Sequence, residues 1–522
     1  MQNVYESTRN KGNKISSKQA ILEGISSDGG LYVWPELSSV QLDLETICHQ
    51  SYKENAVYIL KQLLSDFTEE ELKMCVENAY GNTFASQAIT PVRKVGDVYV
   101  LELFHGPTSA FKDVALTLLP QLMSVALQTT KEKALILTAT SGDTGKAALS
   151  GFQDVKDTGI VVFYPDQKVS QIQYRQMVTQ RGNNVKVFGV KGNFDDAQSK
   201  VKELFLDEEL KAVAKKHAVR LTSANSINIG RLVPQIVYYF EAYKQLVNQG
   251  VIELGKKVSY SVPTGNFGDV LAGYYGYLMG LPVEKFYVAS NENHVLTDFL
   301  RTGVYDRNRP FIQTISPSMD ILISSNLERL LYYMSDCDAA FVKGCMDDLK
   351  NTGRYEIPKA LLAKIQALFD CGYVSDTETK QIIGQTYADK QVILDPHSAI
   401  GYDIADKASQ RPMVSLATAS PYKFSQDVLD AIGKTSQDEL DAMHQLEKVC
   451  QDPIPKGLAE LETLPVLHKD VIAIDAMKEK RGVTQDVELT ADDLKELAGQ
   501  FKAEYKSKIG TDFPTDPKEQ LM

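Results

Sequence analysis

The segment His105-Gly106-Pro107-Thr108-Ser109-Ala110-Phe111-Lys112-Asp113 is the first in this chain that is placed for chemistry. It follows an apolar run over residues 98–103 and opens a stretch of helical spacing. An amine at a helix start lies in the positive end of the helix dipole, which disfavours its protonated form. A neutral amine is what Schiff-base formation with a carbonyl compound requires. Lys112 therefore reads as a candidate catalytic residue and covalent anchor, with a solvated surface lysine as the plain alternative.

Four more segments have small or hydroxylated residues where a strand meets a helix. Thr138-Ala139-Thr140-Ser141-Gly142-Asp143-Thr144-Gly145-Lys146 offers hydroxyls and free amides for an anion such as a substrate carboxylate. It is not a nucleotide P-loop, because Thr140 stands at the first glycine position and Ala147 at the Ser/Thr position. In Pro263-Thr264-Gly265-Asn266-Phe267-Gly268-Asp269, two glycines let the backbone approach a ligand and turn amides toward a phosphate. The glycine spacing lacks the dinucleotide fingerprint. Residues 415–424 end a strand and put Thr418 against a ligand heteroatom. Ser223-Ala224-Asn225-Ser226-Ile227-Asn228-Ile229-Gly230-Arg231 gathers amides, hydroxyls and an arginine suited to phosphate or carboxylate. Taken singly, each also reads as an ordinary turn or helix cap. His105, and His397 within Asp395-Pro396-His397-Ser398-Ala399, remain without an assigned role.

The elements that must position these loops alternate. Short apolar runs at 98–103, 134–138, 160–164 and 185–190 are separated by helical stretches at 113–128, 144–152, 170–181 and 195–214. That alternation predicts βαβ units and a mainly parallel sheet. Pro120 predicts a kink or restart within 113–128. A second alternating region has strands at 257–262, 286–289 and 413–417. The expected domains are an α-rich N-terminal domain over 1–95, an α/β domain carrying Lys112 over 96–235, a large α/β domain over 236–480, and a C-terminal helix and tail over 481–522. Residues 43–80 read as helical, 31–33 as a short strand, 455–480 as a strand-poor connection and 490–508 as an amphipathic helix.

The 522 residues are 43% apolar and 24% charged, which fits a soluble globular protein of several domains. A net charge of −12 argues against nucleic acid or an anionic membrane as partner. Six scattered cysteines form no C-x-x-C pair, so neither a zinc site nor a disulfide framework is expected. No apolar run is long enough for a membrane span, and the expectation is a cytoplasmic protein.

Together, in order and spacing, these segments resemble the threonine synthase family, in the fold-type-II class of pyridoxal-phosphate enzymes. Residues 105–113 are similar to the family's cofactor-lysine motif, and Asp28-Gly29-Gly30-Leu31-Tyr32-Val33 fits its N-terminal domain. The resemblance runs from about residue 5 to 480 and implies two parallel-sheet domains plus the N-terminal domain. It implies pyridoxal 5'-phosphate as cofactor, with Lys112 as its Schiff-base lysine. Gly265, Asn266, Phe267, Gly268 and Asp269 would surround the cofactor phosphate, and Thr418 would meet the pyridine nitrogen. Asp143 stands where many enzymes of the class carry an asparagine near the phenolic oxygen. Thr140, Ser141, Thr144, Asn225, Ser226, Asn228 and Arg231 would bind substrate. The implied reaction converts O-phospho-L-homoserine and water to L-threonine and phosphate, in a monomer or homodimer. Another lyase of the class, such as a serine/threonine dehydratase, and a catalytically silent cofactor-binding paralogue are the alternatives.

Overall fold

The computed structural model describes residues 3–473, apart from residues 141, 193–196, 198–199, 202, 206 and 451. Part of the 195–214 helix and all of the 490–508 helix expected from sequence therefore lie outside the described residues.

The opening segment folds as expected around apolar helix faces. Tyr52–Leu63 and Glu69–Tyr80 each start in a capping box, Ser51 with Glu54 and Thr68 with Glu71. They bury Ile59, Leu60, Leu63, Leu72 and Val76. A small antiparallel sheet of Asn10–Ile15, Tyr5–Ser7 and Tyr32–Val33 precedes them in space. This segment is not set apart from the rest. Its apolar residues belong to one core that continues through both large sheets, and Asn55 donates to Glu241 of a later helix at 2.6 Å.

Two sheets carry the remaining chain. Five parallel strands lie in the order Val471–Ala473, Val185–Lys191, Thr158–Pro165, Lys133–Ala139, Val219–Thr222. Six strands form the other sheet, in the order Phe369–Tyr373, Val283–Ser290, Val258–Pro263, Met413–Ala417, Val98–Glu102, Val92–Val95. Only the Val92–Val95 edge is antiparallel. Such strands, covered on both faces, read as continuous apolar runs.

Two boundaries drawn from sequence differ from this topology. Val98–Glu102 pairs with Met413–Ala417, opposing Val100 to Ser415, and so joins the larger sheet and not the strands that follow it. Val471–Ala473, a short strand in the stretch expected to be strand-poor, extends the smaller sheet along Val185–Lys191. An apolar run announces a strand but carries no mark of a partner hundreds of residues away. Pro120 does mark a restart: the helix Lys112–Leu116 ends and Leu119–Thr130 begins with proline in its first turn, where a missing N–H costs nothing.

In the helix Ile229–Asn248 every residue from Ile229 to Tyr243 is buried. A helix apolar nearly all round belongs in a core. Its first turn presents Arg231 to the site described next. Among the described residues no helix is long and apolar enough to cross a membrane, and no cluster of three metal-ligating side chains occurs.

Candidate active site

The loops singled out from sequence meet at the carboxyl ends of the strands, where ligands of open α/β sheets bind. They line a cavity of about 520 Å³. Lys112, Thr140, Asp143, Thr144, Asn225, Ser226, Arg231, Gly265, Asn266, Phe267, Gly268, Asp269 and Thr418 all contribute to its wall. Asn228 does not. Its side chain caps the helix Ile229–Asn248, accepting from Gly230 N at 2.9 Å and donating to Ile21 O and Ser223 O. Ser141 lies outside the described residues.

Lys112 opens its helix because the preceding turn is tied down. Thr108 donates to Asp113 from its N–H at 2.8 Å and its hydroxyl at 2.5 Å. A Cβ on Gly106 would lie 2.4 Å from that of Asp113, so only glycine lets the turn close this tightly. Lys112 is 9% exposed, and Nζ donates to Ser318 Oγ at 3.0 Å. Burial lowers the amine from its usual 10.5 to about 8; Asp143 pulls it upward, while Lys423 and Arg231 add to the lowering.

Asp143 starts the helix Asp143–Phe152, after a turn in which Thr140 Oγ1 accepts from Gly142 N and Gly145 N. Its carboxylate meets Lys423 Nζ at 2.7 Å, an ion pair almost without solvent contact, and Gln173 Nε2 at 3.1 Å. Burial alone would raise Asp143, but Lys423 and Lys112 hold it well below the usual carboxylate range. Lys423 also donates to Thr108 O, so it braces the Lys112 turn from behind.

The Gly265–Gly268 loop precedes the helix Gly268–Leu278, whose first amides have no acceptor within the helix. Phe267 adopts φ +62 and packs inward against Phe369. Asn326 and Ser324 hold the loop by donating to Asn266 O and Gly265 O. Asp269 turns away from the loop: Oδ1 accepts from Tyr238 and Tyr239, and burial lifts its carboxyl to about 7. A carboxyl raised this far opposes an anion at the helix start less than an ordinary aspartate would. Arg231 is 3% exposed and donates from one terminal nitrogen to Ala224 O, while its Nε meets no acceptor. Burial lowers it to about 10. Thr418 accepts from Phe111 N through its carbonyl, next to Lys112.

Sequence reading missed the opposite wall, formed by Arg307, Phe311 and residues 317–323. This stretch has little regular structure, and Ser316-Pro317-Ser318 reads merely as a turn. His397 also reaches the cavity. His105 does not, pairing with Glu102 at 2.8 Å beside a separate cavity of about 940 Å³.

Comparison with known proteins adds the following. Three family models match in succession: "Threonine synthase N terminus" over residues 4–80, "Pyridoxal-phosphate dependent enzyme" over 76–415 and "Threonine synthase, C-terminal" over 398–479. Threonine synthase of Saccharomyces cerevisiae is 36% identical over 93% of this chain and 98% of its own length. Human threonine synthase-like 1 is 39% identical over 82% of this chain, which spans 60% of that longer protein. The crystal structure of pyridoxal-phosphate-bound threonine synthase from Brucella melitensis superposes with a TM-score of 0.81 at 38% identity, covering 92% of this chain and 99% of that one. The yeast enzyme's structure superposes with a TM-score of 0.82, covering 96% and 99%.

Proposed function

Because the chain belongs to the threonine synthase family of pyridoxal-phosphate-dependent lyases, we propose that the Lys112 cavity converts O-phospho-L-homoserine and water to L-threonine and phosphate. One observation carries the reading: a buried amine of lowered pKa faces two separate places prepared for an anion. One is the Gly265–Gly268 loop at a helix start, where a Cβ on Gly265 would fall 2.5 Å from Ser318 O. The other is Arg231, whose buried Nε lacks an acceptor. A cofactor phosphate and a substrate phosphate require two such places.

The residues present fit pyridoxal phosphate. Lys112 would supply the anchoring amine, the amides of the 265–269 loop would hold the phosphate, and Thr418 would offer a hydroxyl to the ring. When bound, the cofactor supplies the electron sink that acidifies protons on the amino acid's carbons. The chain's own residues then orient substrate and move protons. Lys112 Nζ takes the proton from Cα and serves again at Cβ and Cγ, a task suited to an amine that titrates near neutrality. Thr140 and Thr144 face the substrate carboxylate. Arg231, with Asn225 and Ser226 beside it, holds the γ-phosphate through its departure. Asp143 stays ionised against Lys423 and keeps a fixed negative charge near the working amine.

Arg231→Ala tests the phosphate assignment. A charge-assisted hydrogen bond contributes about 1.5–3 kcal/mol, so kcat/KM should fall by roughly tenfold or more. The cofactor's absorbance should be retained. Unchanged KM and kcat would remove Arg231 from the substrate site. Threonine synthase-like 1 matches this chain as well as the threonine synthases do and its name states no activity, so the second reading is a cavity that binds the cofactor without turning over. Formation of threonine and phosphate in equal amounts decides between the two.

A further inference from the structure

Ser318 lies on the wall that faces Lys112, in a loop without a helix or strand long enough to fix it. What holds it is a chain of polar contacts. Lys112 Nζ donates to Ser318 Oγ at 3.0 Å. The Ser318 N–H donates to His397 Nε2 at 3.1 Å. Because Nε2 accepts, the neutral ring carries its proton on Nδ1, which donates to Asp395 Oδ1 at 2.8 Å. Asp395 is itself tied down: it caps the helix Pro396–Lys407, taking the N–H groups of His397 and Ser398 and the Ser398 hydroxyl. His397 is 2% exposed and its ring packs edge-on against Phe424. Farther along the loop, Asp320 accepts from Thr314 N at 3.0 Å and from Asn291 and Asn293.

A carboxylate that fixes a histidine, which fixes a backbone amide, is more than a loop needs to stay folded. Its effect is to aim one hydroxyl at one amine. When an incoming amino group displaces Lys112 from the cofactor, the freed amine needs a partner at a position only 9% exposed. An unpartnered buried amine is unfavourable.

We propose that Ser318 is a further residue of the reaction, whose hydroxyl receives the Lys112 amine once it is released. The Asp395–His397 pair is then the positioning device that keeps this seat in place. This rests on the reading of Lys112 as the cofactor lysine. Displacement exchanges one carbon–nitrogen double bond for another; the cofactor carbon leaves Lys112 Nζ for the incoming nitrogen, the two protons that nitrogen gives up end on Lys112, which departs as a free amine, and no oxidation state changes.

The test uses the full-length holoprotein and methylamine as displacing amine. The change in the visible spectrum gives the equilibrium for displacement. Borohydride reduction followed by peptide mass analysis gives the fraction of cofactor still on Lys112. Ser318→Ala should demand about tenfold more methylamine for the same displacement, the effect of one hydrogen bond of about 1.4 kcal/mol. Ser318→Thr, which restores a hydroxyl, should return it toward wild type. His397→Leu should resemble Ser318→Ala. His397→Gln, whose side-chain oxygen can still accept from the Ser318 N–H, should lie near wild type. Equal displacement in wild type and Ser318→Ala, with adduct present on Lys112, overturns the inference alone. A wild-type protein that shows no reducible adduct on Lys112 overturns the cofactor-lysine reading and this inference with it. A His397→Leu protein that matches wild type overturns the positioning role of the pair.

Discussion

Replacing Lys423 by methionine removes a cation that sequence reading left without a task. Its ammonium is wholly buried, 2.7 Å from Asp143 Oδ1, and the carboxylate is 3% exposed. Without it, Asp143 keeps the amide of Gln173 and the nearby Lys112 and His397 as compensation. Breaking a buried pair from one side costs about 3–5 kcal/mol, most of it from the charge left behind. The second consequence reaches the chemistry. Burial first, and Lys423 among the charges, lowers the Lys112 amine to about 8, whereas Asp143 raises it. Loss of Lys423 therefore moves that amine upward. At pH 7 an amine titrating at 8 is about one-tenth neutral, and one at the ordinary 10.5 is about one three-thousandth neutral. The rate of capture of pyridoxal phosphate by the apoprotein should accordingly fall at pH 7, by only part of the about 300-fold that separates those two values, because the burial that supplies most of the lowering remains. The assay follows the rise of the adduct band from pH 6 to 10. Wild type should gain tenfold per pH unit up to about 8 and then level off, with the inflection displaced to higher pH in Lys423→Met. An inflection unmoved by the substitution, in a protein that still folds, would refute the electrostatic coupling.

Three further outcomes follow from the same geometry. Arg329 is fully buried and donates to Tyr32 O, Asn326 Oδ1 and Ile227 O. Arg329→Met leaves three acceptors unmatched, and denaturant unfolding should show a loss of at least about 3 kcal/mol. In Gly265→Ala the new methyl would meet Ser318 O at 2.5 Å. The two loops must part, so cofactor affinity should drop tenfold or more in a spectral titration, with a small change in melting temperature. Asp269 has a folded pKa of about 7, above its usual 3.8. Its stabilising share is full below pH 3.8 and is lost as pH rises to 7. Asp269→Asn should therefore flatten the fall in apoprotein stability between pH 4 and 7; an unchanged profile would contradict the burial argument.

Much of the site was legible because each loop declares itself locally. A strand that ends in small or hydroxylated residues, followed by helical spacing, announces a turn with free amides, and residues 105–113, 138–145, 263–269 and 417–424 share that form. Their convergence is a consequence of parallel strands, whose carboxyl ends point one way. Asn228 shows the limit of such reading. An asparagine before a helix serves equally as ligand or cap, and the Gly230 N–H two residues on, which donates to Asn228 Oδ1, decides for the cap. Ser318 and Lys423 were illegible for another reason. Their partners, Lys112 and Asp143, lie 206 and 280 residues away in sequence. Nothing in a local pattern fixes which loop will face which. The same distance hid the pairing of Val98–Glu102 with Met413–Ala417.

The most direct test of the proposed reaction is turnover of O-phospho-L-homoserine by the holoprotein in ¹⁸O-labelled water, with products identified by mass. Departure of the γ-phosphate by C–O cleavage and addition of water at Cβ predict threonine that carries the label and phosphate that does not. Labelled phosphate with unlabelled homoserine would mean simple phosphate-ester hydrolysis. An oxo acid with ammonia, or no product from protein that carries the cofactor, would equally contradict the account.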